Sequence, residues 1–277
     1  MKLFSGCLLC CDIDGTLLSD GIIPQENIEK IKFFAENGGV FALATGRNKL
    51  AVSLVEQGIK DTSKAVFLNG GMIYDYVTKK TIFEAKLPKE DYDIIYKIKE
   101  KFHEIGIEVH FGSDVAVYNR TAETDDHEFY EDMPTVLFTK EQVEKTELTK
   151  VLYTLGDSEN VERLKKFISE TPHSSRFVNT SAVFDGRERL YLEQIPVGIS
   201  KAIGVKKLAD ALGIEKGNLF AMGDYYNDLE MLKIADISAA PCGSPEEVKN
   251  AVDYVTKDVE NGAVADFIDY LIKLRRK

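Results

Sequence analysis

The apolar run Leu8-Leu9-Cys10-Cys11 stops at Asp12-Ile13-Asp14-Gly15-Thr16, and that junction constrains the fold more than any other stretch of the chain. An unbroken apolar run bounded by a turn signal reads as a fully buried strand. Side chains two apart on an extended backbone share a face, so Asp12 and Asp14 aim at one site while Gly15 lets the chain swing away. Two carboxylates so placed suit a hard cation such as Mg2+, which takes carboxylate, carbonyl and water oxygens and keeps positions open for phosphate. A short acid-x-acid pattern also occurs in solvated loops and weak calcium sites, so its meaning depends on the rest of the chain.

The same punctuation recurs. A polar turn at Ser19-Asp20-Gly21 and Pro24 precede an amphipathic helix carrying Ile28, Ile31, Phe34 and Ala35 on one face. Val40 to Ala44 is a second buried strand and ends on Thr45-Gly46-Arg47, with a helix expected behind it. Backbone N–H groups and a hydroxyl at such a junction form an anion site, although Thr45 alone also reads as a helix cap. Ala65 to Leu68 gives a third strand, ending at Asn69-Gly70-Gly71. Strands alternating with helices imply right-handed crossovers and a parallel sheet, in which ligands bind outside the carboxyl ends of the strands. Asp12, Thr45 and Asn69 all fall there.

From Phe83 the texture changes to an acidic helix behind Pro88, strand-like Ile107 to Phe111 and Val115 to Tyr118, and the polar stretch Glu123 to Glu128. Further strands are read at Val151 to Leu155, Arg176 to Val178 and Leu190 to Leu192, with a helix at Val161 to Ile168. All four histidines lie in this region, and the acids around His127 read as a solvated loop rather than a metal site. The parent pattern then resumes, with Ser200 capping a helix that carries Lys201 in its first turn. A lysine there gains nothing from the helix dipole, so a negative group is expected beside it. Leu219 to Met222 is another strand, closed by Gly223-Asp224-Tyr225-Tyr226-Asn227-Asp228. The expected architecture is an α/β, Rossmann-like doubly wound parallel sheet built from residues 1–82 and 190–277, with an inserted α+β cap at 83–189 that selects substrate.

Composition narrows the function. A formal net charge of -11 argues against a broad nucleic-acid surface, and no apolar stretch is long enough to span a bilayer. A small anionic substrate is still allowed if a metal and a lysine compensate it locally. Met1 to Cys7 has the outline of a lipoprotein leader without its apolar segment, and reads as the approach to the first strand. Cys7 and Cys10 form a C-x-x-C spacing, but residues three apart on a strand face opposite sides, so buried thiols in a reducing cytoplasm are expected.

The strand ends thus collect carboxylates, a threonine, a lysine and an asparagine, with no histidine, serine elbow or activated cysteine among them. Carboxylate nucleophiles beside anion donors and a metal point to phosphoryl transfer through an aspartyl-phosphate. Asp12-Ile13-Asp14-Gly15-Thr16, Thr45-Gly46-Arg47, Lys201 and Gly223-Asp224-x-x-Asn227-Asp228, in that order, resemble the four motifs of the haloacid dehalogenase superfamily. The insert resembles the cap of its Cof-type (IIB) phosphatases. Asn69-Gly70 and Glu260 to Val264 extend the likeness.

That resemblance implies Asp12 as nucleophile and Mg2+ ligand, and Asp14 as the proton donor and later the base, lending its backbone carbonyl to the metal. It implies Asp224 as the remaining metal ligand and Asp228 as support outside the coordination sphere. The phosphoryl group would be bound by the Ile13 and Gly46 amides, Thr45, Lys201 and Asn227. The substrate class would be small phosphorylated metabolites, sugar phosphates or nucleotide-like monophosphates. A phosphomutase and a non-catalytic phospho-acceptor switch use similar groups and stay open. Two departures stand out: Ala240 to Ser244 lacks the asparagine common in relatives, and Tyr225 replaces a glycine.

Overall fold

The structure, a computed structural model, describes residues 2–18, 21–49, 63–133 and 135–276. Ser19 and Asp20 of the expected polar turn, and the helix expected behind Arg47, lie outside the described residues. The chain divides into two compact units, one of Met1–Phe83 with Ile199–Lys277 and the other of Glu84–Gly198.

In the first unit, β1 (Leu8–Cys11) is buried on both faces because it is central. Leu9 and Cys11 pack with Phe34 and Phe267, whereas Leu8 and Cys10 pack with Val66 and Val205 on the other side. Cys7 joins the first group and Cys10 the second, and neither forms a disulfide. Helix α1 (Gln25–Glu36) follows Pro24 and buries Ile31 and Phe34. Strands β2 (Val40–Ala44) and β3 (Ser63–Phe67) run parallel to β1, and β4 (Met72–Asp75) turns back antiparallel, followed by β5 (Lys80–Glu84).

The second unit contains α2 (Tyr92–Lys101), β6 (Gly106–Phe111), β7 (Asp114–Asn119), α3 (Ala122–Tyr130), β8 (Val136–Leu137) and α4 (Lys140–Lys145). It continues with β9 (Lys150–Leu155), α5 (Ser158–Ser169), β10 (Arg176–Phe184) and β11 (Arg187–Ile195). The sheet order is β10-β11-β9-β6-β7-β8. One face sends Ile107, Val109, Val151 and Tyr153 against Ile95 and Ile98 of α2 and Leu164 of α5. On the other face lies α3, tied down by His127 to Glu108 and by Asp126 to Arg189.

Two expectations are corrected here. The polar stretch Glu123 to Glu128 is the middle of a helix, not a loop. Thr121 and Thr124 form a reciprocal capping box, and acids in the first turn complement the helix dipole. The return to the first unit falls at Ile199 rather than 190. The cause is a long hairpin, in which β11 pairs with β10 from Phe184↔Arg187 to Arg176↔Ile195 and keeps the whole strand in the insert.

The first unit then resumes with α6 (Lys201–Leu212), β12 (Leu219–Met222), α7 (Leu229–Ile234), β13 (Ile237–Pro241), α8 (Glu246–Lys249), β14 (Tyr254–Thr256) and α9 (Ala263–Arg275). Its sheet, among the described residues, has the order β14-β13-β12-β1-β2-β3-β4-β5, parallel from β14 to β3. Helices α1 and α9 cover one face and α6 and α7 the other, giving a doubly wound α/β sheet. Among the described residues no helix is long and apolar enough to cross a membrane.

Candidate active site

Adjacent parallel strands place their carboxyl ends side by side, so β12, β1 and β2 deliver three loops to one edge of the sheet. Asp12 follows β1 directly, donates its backbone N–H to Met222 O at 2.9 Å, and is buried. Lys201, on the first turn of α6 behind the Ser200 cap, sets its Nζ between Asp12 Oδ1 and Asp228 Oδ1, each at 2.6 Å. This ammonium is 3% exposed as a residue, so the two ion pairs operate away from water.

Asp228 is fully engaged. Its Oδ2 accepts the backbone N–H groups of Asp224 at 3.2 Å and Tyr225 at 3.4 Å, which folds the turn after β12 back on itself. That closeness requires Gly223, since a Cβ there would stand 2.6 Å from the Asp228 Cβ. Asp224 Oδ1 accepts from the hydroxyl of buried Thr16 at 2.9 Å. Gly15 has φ +76, and a Cβ on it would meet Asp224 Oδ2 at 2.4 Å, so the β1 loop and the β12 loop touch through a position that suits glycine alone.

Asp14 is exposed and accepts two hydrogen bonds from Arg47, Nε to Oδ2 and Nη2 to Oδ1, each at 2.9 Å. Thr45 is buried at the end of β2, and its hydroxyl accepts the Arg47 backbone N–H at 3.1 Å. The turn after β3 clasps this loop: Asn69 N–H donates to Thr45 O and Leu68 N–H to Arg47 O, with Leu68 and Asn69 both in the left-handed region. Gly46 lies against the Asn69 side chain. Asn227 is exposed in the turn Tyr226–Asp228, and Ile13 is buried under the β1 loop, its carbonyl accepting from Leu17 and Leu18.

Electrostatics follow from burial. Desolvation pushes the Asp12 carboxyl well above the usual carboxylate range, with Lys201 opposing the rise and Asp228 adding to it. Burial raises Asp224 as well, against the Thr16 hydrogen bond. Desolvation acts to lower Lys201, but the carboxylates of Asp12 and Asp228 outweigh it and hold the ammonium above its ordinary value. Asp12, Asp224 and Asp228 each offer an oxygen within 4.8 Å of the others, a group that could hold a metal ion. Beside them an open groove of about 510 Å3 is lined by Gly15, Asp224, Tyr225, Pro241 and Ser244, where the departures from the family pattern fall.

Every site residue read from the sequence therefore lies at or beside the carboxyl edge of the parallel strands. Two residues within the motifs, to which the sequence alone assigns no role, hold site carboxylates in place: Arg47 grips Asp14, and Thr16 grips Asp224. Both carried a signal, being the polar residues that close the β2 and β1 motifs.

A doubly wound sheet whose strand ends gather three carboxylates around one buried ammonium defines a class of α/β proteins with a polar site at the carboxyl edge of the sheet, one that could hold a metal ion. Residues 9–268 match the haloacid dehalogenase-like hydrolase family, and the chain belongs to it. Among its relatives, a 5-amino-6-(5-phospho-D-ribitylamino)uracil phosphatase of Bacillus subtilis is 26% identical, covering 95% of this chain and 97% of the relative. A second phosphatase of that description from the same organism is 25% identical over 92% of each chain. In fold, the chain matches a haloacid dehalogenase-like hydrolase from Bacteroides thetaiotaomicron with a TM-score of 0.79 at 24% identity, covering 96% of this chain and 99% of the other. A subclass IIB sugar phosphatase of the same superfamily superposes with a TM-score of 0.75 at 21% identity, covering 95% and 98%.

Proposed function

We propose that the chain is a Mg2+-dependent phosphatase that hydrolyses small phosphorylated metabolites, sugar phosphates or nucleotide-like monophosphates, through an aspartyl-phosphate. The observation that carries this reading is Lys201 clamped between Asp12 and Asp228, beside carboxylates that converge within 4.8 Å. The naming of relatives as phosphatases of a phosphorylated ribityl compound supports the substrate class.

The donor set fits Mg2+. Three carboxylates around one ammonium leave a negative excess, and hard oxygen ligands are what this ion takes. Because Lys201 and two backbone amides occupy both oxygens of Asp228, Asp12 and Asp224 are the carboxylates left to hold the metal, with the Asp14 carbonyl. When bound, the ion neutralises phosphate charge and polarises the phosphoryl oxygens.

In the first step Asp12 attacks phosphorus, the bond to the leaving oxygen breaks, and Asp14, having taken up a proton from the solvent to which its side chain is exposed, passes it to that oxygen. Asp14 then takes a proton from water, which attacks the aspartyl-phosphate and releases Asp12 and inorganic phosphate. Lys201, the Thr45 hydroxyl, the Ile13 and Gly46 amides and Asn227 bind the phosphoryl oxygens as charge redistributes. The inserted unit, expected from the sequence to be a cap, selects among leaving groups.

Release of phosphate from p-nitrophenyl phosphate, with and without Mg2+, tests the reading. Activity is expected only with the metal and is expected to vanish in Asp12→Asn. Undiminished turnover in that variant would overturn Asp12 as nucleophile.

A further inference from the structure

An outermost strand leaves one row of N–H and C=O groups without a sheet partner, and natural folds blunt such edges with charges, prolines, bulges or shortness. Among the described residues, β14 has three residues and β8 two, and β5 carries Lys80 and Glu84 at its ends. The remaining outer strand, β10, is not blunted. It is nine residues long, pairs with β11 along its whole length without a register shift, and carries neither charge nor proline after Arg176. No described residue gives its outer side a backbone hydrogen bond. Asn179, Ser181 and Val183 are exposed, Val183 to 68%.

A long, uncharged strand rich in β-branched and aromatic residues is a template for another strand. The order of its residues says which one. Outward from Thr180 the strand runs polar, apolar, apolar in both directions: Asn179, Val178, Phe177 one way and Ser181, Ala182, Val183 the other. Thr180 is also the midpoint of Arg176–Phe184. A strand symmetric about its midpoint matches itself when turned end for end, which is the condition for an isologous two-fold contact.

In that register Thr180 meets Thr180, Asn179 meets Ser181, Val178 meets Ala182 and Phe177 meets Val183. Phe177 packs against the apolar core of the second unit, and residues an even number apart on a strand share a face. The exposed Val183 of one copy therefore comes to lie beside Phe177 of the other and gains an apolar neighbour. The ends match as well. Arg176 has no ion-pair partner among the described residues, and turning the strand brings it to the hairpin end of the other copy, where Asp185 carries the opposite charge. A formal net charge of -11 opposes contact between copies in general, whereas the stretch 177–184 is neutral and meets itself without repulsion.

We propose that two copies of this chain pair β10 with β10, antiparallel, about a two-fold axis at Thr180, and so join their second-unit sheets into one. The contact consumes both long edges and leaves β8, of two residues, at each outer end, so assembly stops at the dimer.

Sedimentation velocity of the whole protein, from low to high micromolar concentration, is expected to show a monomer giving way to a species of twice its mass. Because Thr180 faces its own counterpart across the axis, Thr180→Lys sets like charges opposite each other, and so does Thr180→Glu. Each variant is expected to weaken dimerisation more than about tenfold, and an equimolar mixture of the two is expected to restore it, since lysine then meets glutamate. A Tm within about 4 °C of wild type, measured where wild type is monomeric, shows that a variant is folded. Amide exchange in wild type needs no variant: protection across 177–184 should rise with protein concentration as the outward N–H groups become bonded. Exchange there that ignores concentration, a monomer at every concentration, or a species larger than two overturns the proposal. So does dimerisation equal in wild type and both variants, or a mixture of folded variants that stays monomeric.

Discussion

Arg47 grips the Asp14 carboxylate with both arms of its guanidinium, Nε to Oδ2 and Nη2 to Oδ1, each at 2.9 Å. The two residues stand at the ends of neighbouring parallel strands, so the pair ties the β1 loop to the β2 loop across the mouth of the site. A fork of this kind fixes the plane of the carboxylate as well as its position.

On the phosphatase reading, Arg47→Lys keeps the charge and loses the fork. The pair is partly exposed, with side-chain exposures of 32% and 56%, and its contribution to stability is expected to be below about 1 kcal/mol. Loss of carboxylate orientation should instead lower kcat about tenfold. Steady-state kinetics beside a thermal melt separate the two; a large drop in Tm with unchanged kcat would make the pair structural.

Lys201→Met strands two carboxylates in a site that excludes water. Breaking a buried ion pair from one side is expected to cost about 3 kcal/mol, read as a lowered urea midpoint. Phosphatase activity should fall to background. Adding Asp228→Asn to that variant should recover part of the stability and, on the proposed reading, none of the activity, because the uncompensated charge is removed while the ammonium assigned to phosphate is still missing.

Gly15→Ala inserts a methyl group where the Asp224 carboxylate now lies, 2.4 Å away, on a backbone with φ +76. The strain should cost about 1–2 kcal/mol. On the proposed reading, displacement of Asp224 should raise the Mg2+ concentration needed for half-maximal rate about tenfold. A magnesium titration of the rate measures this directly, and an unchanged half-saturation point would remove Asp224 from the metal site.

Far from the strand-end site, Lys64 and Asp75 face each other across β3 and β4 at 2.9 Å. Burial works to raise Asp75, but hydrogen bonds from Lys64 and Thr78 outweigh it and hold the carboxyl below its ordinary value. A carboxylate depressed in the folded state adds stability above its unfolded pKa and loses it as pH falls through the folded one. Asp75→Asn should therefore destabilise the protein by about 1 kcal/mol at pH 7. That gap should close below the ordinary carboxylate range; urea unfolding at several pH values gives it directly.

How much of this was legible in the sequence depends on whether the signal was local. Strand ends were, because Leu8 to Cys11 and Leu219 to Met222 stop at acids, and a run buried on both faces has no polar alternation to confuse it. Lys201 in the first turn of a helix, where the dipole disfavours it, called for a negative neighbour, and Asp12 and Asp228 are there. Helix α3 was missed because its run of acids resembles a solvated loop, and the capping box at Thr121 and Thr124 was overlooked. The pairing of Arg47 with Asp14 depends on which strands lie side by side, and no spacing along the chain encodes that. The end of the insert was placed too early because Leu190 to Leu192 reads as a strand of either unit until its hairpin partner β10 is known.

Strand β1 takes its hydrogen bonds from β2 on one edge and from β12 on the other, with Leu8 opposite both Val40 and Leu219. A ribosome makes one of those neighbours almost at once and the other only after the whole insert has emerged. Until then the nascent chain carries an open sheet edge at its centre, and Asp12 has neither Lys201 nor Asp224 beside it. The protein is thus born without its chemistry, and translation that halts before Leu219 leaves a fragment able to aggregate along β1 but not to assemble the site.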